Sequence, residues 1–395
     1  MLPQDVDLKN AILNPSYGEA IISLSNHLSY MDRREEALLA VEEAIELYRQ
    51  LAMDRPAVFN ADLAKSLNNL SVRLSDMGHR EDALLAIEEA IELYRLLAAD
   101  HPAAFNPDLA MSLNNLSNHL SNLGCQELAL LAIEEAIQLY RLVAADLPAV
   151  FNPDLAMSLN NLSNRLYNLG RQEEALVAVK ESIQLRRKFA ADCPGTCNPD
   201  LAMSLNNLST YLSDLGFQED ALLAIEEAIK LYRWLTAHHP ATFNPDLAMS
   251  LNNLSNRLAD LGHQQDALLA VEEAIELYQQ LAENRPAVFN PHLAASLNNL
   301  SIHLSDLGHQ EDALVAIEGA IELRRQLAAD HPAVFKPHLT TSLNNLSTYL
   351  SALGRQEEAL LVIEEAIELH QCIFLNFNSM YYPVGLCLMV DNVVK

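Results

Sequence analysis

The chain has 395 residues and carries 25 Lys and Arg against 53 Asp and Glu, a net charge of −28. That balance repels a nucleic-acid backbone and disfavours an anionic membrane surface, so the partners it allows are basic or neutral, and it also keeps a long apolar array in solution. No apolar run approaches a membrane span, the tail stretch Val384 to Val390 being far too short. Five cysteines, Cys125, Cys193, Cys197, Cys372 and Cys387, are too few and too irregular for a disulfide framework. The start Met-Leu-Pro-Gln-Asp-Val-Asp lacks the basic and apolar regions of a signal peptide, and the expected location is the cytoplasm.

Residues 1–12 read as a lead-in. After them the phrase Ser-Leu-Asn-Asn-Leu-Ser begins at Ser66, Ser112, Ser158, Ser204, Ser250, Ser296 and Ser342, a constant step of 46 residues. A fixed period of this size means stacked supersecondary units, each burying its apolar face against its neighbours. Ala20-Ile-Ile-Ser-Leu-Ser25 stands where an eighth, degenerate copy falls. Eight units starting at 13, 59, 105, 151, 197, 243, 289 and 335 therefore run to residue 372 as one elongated domain. The units from Phe105 and Phe151 differ at only 14 of 46 positions, so the few positions that change become informative. The remainder, 373–395, loses the register, and Ile373-Phe-Leu-Asn-Phe377 is suited to cap the last hairpin.

Within the unit from Phe105, Asn106-Pro107-Asp108 predicts a helix start, with a capping residue, a proline at the first position and an acid in the first turn. Leu113, Leu116, Leu120 and Leu123 recur at helical spacing, and Gly124 supplies a left-handed C-cap. A second helix follows, its apolar stripe made by Ala129, Leu130, Ala132, Ile133, Ala136, Ile137 and Leu139, until Pro148 limits it. Phe151 is expected to pack in the joint beyond. Small Ser117 and Ala129 let the two helices approach, so the unit is an antiparallel helix hairpin. The fold class is all-α, an α-solenoid or superhelix of stacked hairpins. Two units depart from the pattern: Asp32 stands where the inter-helix glycine belongs, and Gly319 replaces a helix-B glutamate, weakening that helix by roughly 0.5–1 kcal/mol.

Leu116, Ser117, Gly124, Ala129 and Ala136 occupy the signature places of the tetratricopeptide repeat, which this chain resembles from residue 13 to 372. Leu-Asn-Asn-Leu, with a long second helix ending in Asp-x-Pro, looks like the repeats of kinesin light chains. Similar arrays form the sensor tails of NLR-like signalling NTPases in fungi and bacteria. The 46-residue unit exceeds the family's usual length of about 34, which alters the superhelix pitch. The resemblance implies that helix A lines a concave groove, and that the asparagine pairs fall at or beside residues that bind extended peptides in relatives.

Little else in the chain suggests chemistry. No Gly-rich phosphate loop is present, and the 13 histidines show no paired ligand spacing, so neither nucleotide, metal nor cofactor is expected. Cys193 and Cys197 replace Leu147 and Phe151 of the preceding unit and read as small apolar joint residues. Asn69-Leu70-Ser71 and its copies match a glycosylation acceptor only incidentally, and pairs such as Glu88-Glu89 mark a solvated outer face. The asparagine pairs carry the functional reading, because a carboxamide both donates to and accepts from a peptide backbone. Of each pair, the first asparagine is expected to order the stack. The second, Asn69, Asn115, Asn161, Asn207, Asn253, Asn299 and Asn345, is expected to face the groove. Three residues on, the chain reads Asn26, Val72, Asn118, Asn164, Thr210, Asn256, Ile302 and Thr348. Four residues on, it reads His27, Arg73, His119, Arg165, Tyr211, Arg257, His303 and Tyr349, a column restricted to three residue types and expected to select the ligand. The chain is thus expected to be a non-catalytic scaffold for a peptide or protein partner, with a sensor segment of an NLR-like NTPase as the alternative.

Overall fold

A computed structural model describes residues 15–192 and 194–380, excepting the side chains of 190–198 and 372–380. Among the described residues sixteen helices alternate as A and B members of eight hairpins. The first four hairpins are α1 (Pro15–Tyr30) with α2 (Arg34–Asp54), α3 (Pro56–Asp76) with α4 (Arg80–Asp100), α5 (Pro102–Asn122) with α6 (Gln126–Asp146), and α7 (Pro148–Asn168) with α8 (Gln172–Asp192). The last four are α9 (Pro194–Asp214) with α10 (Gln218–His238), α11 (Pro240–Asp260) with α12 (Gln264–Asn284), α13 (Pro286–Asp306) with α14 (Gln310–Asp330), and α15 (Pro332–Ala352) with α16 (Gln356–Met380). The lead-in 1–12 and residues 381–395 lie outside the described residues; helix α16 continues past 372 to Met380.

Helix A begins earlier than the sequence suggests. In the third repeat it starts at Pro102, with Pro107 inside it, and in the fourth at Pro148, with Pro153 inside. Phe151 therefore lies in a helix, not in a joint. Of two prolines five residues apart, the first sits at the N1 position, where its missing N–H and fixed φ cost nothing. The second forfeits one bond, to the carbonyl of exposed Ala103, which water can satisfy. A single non-helical residue, His101 at φ −135° and ψ 67°, separates helix B from the next helix A.

The turn inside each hairpin follows the sequence pattern. Gly124 adopts φ +83°, Cys125 N–H donates to Leu120 O at 2.9 Å and Gly124 N–H to Ser121 O at 3.0 Å, a Schellman closure. Asp32 makes the same turn at φ +58°, with Arg33 N–H on Leu28 O at 2.9 Å, at a cost of about 1 kcal/mol for a side chain in the left-handed region. Cys125 is disulfide-bonded. The side chains of Cys193, Cys197, Cys372 and Cys387 lie outside the described residues, and so does the joint role expected of the Cys193–Cys197 segment.

Contacts divide the chain into two compact units, one ending at Leu185 and the other beginning at Arg186, where the unbroken period suggests a single domain. In a nearest-neighbour array no central core spans the chain. In each unit, successive helices pack against each other and each helix A touches the next helix A more thinly. Alanines at Ala83, Ala90, Ala129 and Ala136, fully buried, permit that approach in the first unit, around Leu113, Leu116, Leu120 and Ile133. Each fully buried leucine or isoleucine contributes roughly 1.5–3 kcal/mol. In the second unit Val271, Ile275, Tyr278, Phe289 and Leu293 form one cluster and Ile317, Ile321, Leu343, Leu346 and Tyr349 another.

Two repeated positions on helix B break pattern in informative ways. Tyr48, Tyr94, Tyr140, Tyr232 and Tyr278 are buried at one position, which Arg324 takes in the seventh repeat. The Arg324 guanidinium is likewise buried, donating from Nη1 to His338 O at 2.8 Å, Asn298 Oδ1 at 3.3 Å and Ser342 Oγ, and burial lowers its pKa to about 10. On the outer face, the second glutamate of each pair accepts from an arginine forty residues earlier. Arg49–Glu89, Arg95–Glu135 and Arg141–Glu181 are rungs in the first unit, at 2.6, 2.9 and 2.8 Å. Arg187–Glu227, Arg233–Glu273 and Arg325–Glu365 are rungs in the second, at 2.6, 2.7 and 2.8 Å. These glutamates are therefore not only solvated, although each such half-exposed pair contributes about 0–1 kcal/mol. Where Gly319 removes one glutamate, the corresponding arginine is Gln279, so both ends of that rung are absent together.

Candidate partner-binding face

The repeated Ser-Leu-Asn-Asn-Leu-Ser phrase is a connector between repeats. Its first asparagine is buried at Asn68, Asn114, Asn160, Asn206 and Asn298, half-exposed at Asn252 and exposed at Asn344, and the Oδ1 atom of Asn68 accepts from Asn115 Nδ2 at 3.1 Å and from Ser112 Oγ at 3.1 Å in the next repeat. Asn161 and Ser158 do the same to Asn114 at 3.0 and 3.3 Å, and Asn345 and Ser342 to Asn298 at 3.3 and 2.9 Å. Asn253 donates to Asn206 at 3.0 Å, and Asn299 to Asn252 at 3.2 Å. The first asparagine thus orders the stack, and the second takes part in the same bond. Half-exposed on helix A, Asn115, Asn161, Asn253, Asn299 and Asn345 donate through nitrogen, while Oδ1 accepts nothing from the described residues. Asn207 is placed equivalently and half-exposed. Asn69 differs, because the degenerate first repeat offers Ile22 where the acceptor belongs, and its carboxamide makes no hydrogen bond to the described residues.

In the His/Arg/Tyr column, Arg73, His119, Arg165, Arg257, His303 and Tyr349 bond to the preceding repeat, whereas exposed His27 bonds through Nδ1 to Ser23 O of its own helix at 2.8 Å. His119 Nε2 lies 3.2 Å from Ser71 Oγ, His303 Nε2 3.3 Å from Ser255 Oγ, and Tyr349 OH 3.2 Å from Ser301 Oγ. Each partner is the last serine of the preceding phrase. Arg165 donates to Ser117 Oγ at 3.2 Å, Asn118 Oδ1 at 2.6 Å and Ser121 Oγ at 2.6 Å, and Arg73 to Asn26 Oδ1 at 2.9 Å and Ser29 Oγ at 2.7 Å. Arg257 reaches Ser213 Oγ. His119, Tyr211, His303 and Tyr349 retain no more than 6% exposure, too little to meet a partner's side chain. Burial pushes the His119 pKa down to about 4 and lowers that of His303, so both imidazoles are neutral. The connecting serines escaped the sequence reading; their signature is the 44- and 48-residue offset from one phrase to the next.

What the A face presents is the column one residue earlier. Val72, Asn118, Asn164, Thr210 and Asn256 are half-exposed, and Ile302 and Thr348 exposed. Met111, Asn115 and Asn118 follow one another at helical spacing, as do Met249, Asn253 and Asn256 in the second unit. The surface is mixed and repeated, with carboxamides at regular places between Met111, Met249, Val72 and Ile302.

No helix among the described residues is long and apolar enough to cross a membrane. The tetratricopeptide repeat family model matches residues 63–103, 155–188, 201–235, 247–285, 293–333 and 339–371. A model of anaphase-promoting complex subunit 5 matches the shorter stretches 7–56 and 97–143. No curated protein matches the sequence. Among solved structures, BtubC (BKLC) from P. vanneervenii is 19% identical over 65% of this chain and 94% of its own, with a TM-score of 0.52. Apo RapI is 12% identical over 72% of this chain and 92% of its own, with a TM-score of 0.51. The nearly identical TPR-like repeats of a Podosopora anserina protein are 17% identical over 55% and 95%, with a TM-score of 0.44. At such identities the likeness is one of fold. With hairpins closed by glycine, joined by a repeated phrase and matched over more than half the chain's length, this α-solenoid belongs to the tetratricopeptide repeat family.

Proposed function

We propose that the chain is a non-catalytic protein-interaction scaffold whose A-helix face holds a peptide or protein partner. The observation that carries this reading is the set of half-exposed Asn115, Asn161, Asn253, Asn299 and Asn345, fixed in orientation by their Nδ2 bonds and with an Oδ1 that accepts nothing from the described residues. An oriented acceptor repeated at one step per hairpin suits backbone N–H groups of a partner, whatever its side chains. Asn69, Asn115, Asn161, Asn207, Asn253, Asn299 and Asn345 make these contacts. The His/Arg/Tyr column, including Arg73, Arg165 and Arg257, acts behind them by setting how neighbouring repeats meet. No observation favours the sensor-segment reading over this one.

The first repeat's Ile22 provides the test. Asn69→Ala removes a carboxamide that ties nothing among the described residues, whereas Asn115→Ala also takes one of two donors from buried Asn68, which costs about 0.5–1.5 kcal/mol. The expected outcome is a normal melting temperature and weakened partner binding for Asn69→Ala, with both properties reduced for Asn115→Ala. Normal affinity of Asn69→Ala for a partner cross-linked to α3 would show that the column is only a tie. A cytoplasmic location is part of the same proposal, and it expects free thiols, since reducing compartments keep cysteines reduced. Thiol trapping of the chain directly from cells decides that point.

A further inference from the structure

One aliphatic side chain on every helix B faces outward. Leu39, Leu85, Leu131 and Val177 in the first unit, and Leu223, Leu269, Val315 and Leu361 in the second, are 47–70% exposed. A lone exposed leucine needs no explanation, but one at the same place in every hairpin forms an apolar row. The row runs beside the ion-pair rungs, because Glu89, Glu135 and Glu181 lie one helical turn after Leu85, Leu131 and Val177. Arg49, Arg95 and Arg141 are thereby spent on those glutamates. Among the described residues Glu81 and Glu92 remain on α4 without an ion pair, and Glu88 keeps a buried Oε1 with no hydrogen-bond partner.

A pocket of about 270 Å³ opens at this face between α6 and the following hairpin. Its floor is apolar, with Leu159, Leu162 and Val177, and its rim carries Glu134, Glu174 and Glu181. Arg171 holds both oxygens of Glu174 at 2.7 and 2.6 Å, and Arg141 both oxygens of Glu181 at 2.9 and 2.8 Å. Glu134 makes no direct ion pair among the described residues, and the Arg171 guanidinium that reaches it electrostatically is bonded to Glu174. An apolar floor under an unpaired carboxylate matches a long aliphatic stem ending in a cation.

We propose that the outer face of α4, α6 and the first half of α8 docks a basic, leucine-bearing protein segment, with one lysine or arginine seated in the pocket beside Val177. Charge complementarity selects this occupant. A second copy of the chain would bring another acidic surface and a further net charge of −28 against the first.

The probe is a synthetic amphipathic Lys/Leu peptide carrying a photo-cross-linker, with a Lys/Ser peptide of equal charge as control and the full chain as target. Cross-links from the Lys/Leu peptide should map to α4, α6 and the first half of α8, with labelling by Lys/Ser weaker by about tenfold. The triple variant Leu131→Ser, Val177→Ser, Glu134→Gln alters exposed or rim groups only. It should melt like the parent and lose about tenfold in labelling at α6 and α8. Equal labelling by both peptides, cross-links confined to the A helices, or unchanged labelling of the variant would each overturn the proposal. Concentration-dependent dimerisation abolished by the same variant would overturn it in favour of a second copy.

Discussion

A single imidazole shows how the stack uses its polar residues. His119 is buried against Ser71, and its pKa of about 4 in the folded chain lies below the ordinary 6.5. Above the unfolded value neither state binds a proton, so stability is independent of pH there. Between 6.5 and about 4 the unfolded chain takes up a proton that the folded chain refuses, so stability falls as the solution is acidified and levels off below that window. The loss is bounded at about 3 kcal/mol by the size of the shift. The array supplies its own replacement, for Tyr349 meets Ser301 at the corresponding place through a group that does not titrate there. His119→Tyr should therefore flatten the acid-side decline in denaturant stability relative to the parent, measured between neutral pH and pH about 4.5. An unchanged slope would assign the decline to other groups. The sequence showed that this column is restricted, but not why. Spacing within a helix places a side chain on a face, whereas only the distance to the preceding repeat's serine shows that it leans inward.

At the scale of the helix, glycine at the inter-helix turn was legible because few residues reach φ near +80° without strain, and so was the apolar stripe of helix B. The start of helix A was not. Two prolines each resemble an N1 residue, and the choice between them falls to the single non-helical residue before Pro102, which carries no compositional mark. The split between asparagines was half legible, since the second both ties the stack and faces outward. Helix α14 carries a further departure, the buried Arg324. Its guanidinium faces His338 O, Asn298 Oδ1 and Ser342 Oγ, neutral acceptors all. One repeat earlier Tyr278 stacks on His292 at 5.4 Å between centroids and 12° between planes. Arg324→Tyr should place the same ring over His338 and remove a buried charge, raising stability by about 1–2 kcal/mol in equilibrium unfolding. A fall in stability would mean that the three acceptors need the cation.

Across the whole chain, the near-identity of the repeats makes whole-unit loss by misaligned copying an accessible event, and the junctions decide which losses are tolerated. Excising 243–288 brings His303 against Ser209, and a single serine is all that His303 uses at present. Excising 105–150 instead brings Arg165 against Ser71, Val72 and Ser75, so that valine replaces the Asn118 acceptor. Both products keep seven hairpins. The first should melt higher than the second, by roughly a degree or two if the lost acceptor costs about 0.5–1.5 kcal/mol. Equal melting of the two would mean that the column does not discriminate between neighbours. The inward-leaning column thus acts as a rule of succession: an arginine repeat must follow one that offers the right acceptors, and the order in which repeats can be gained, lost or exchanged is written on their facing edges.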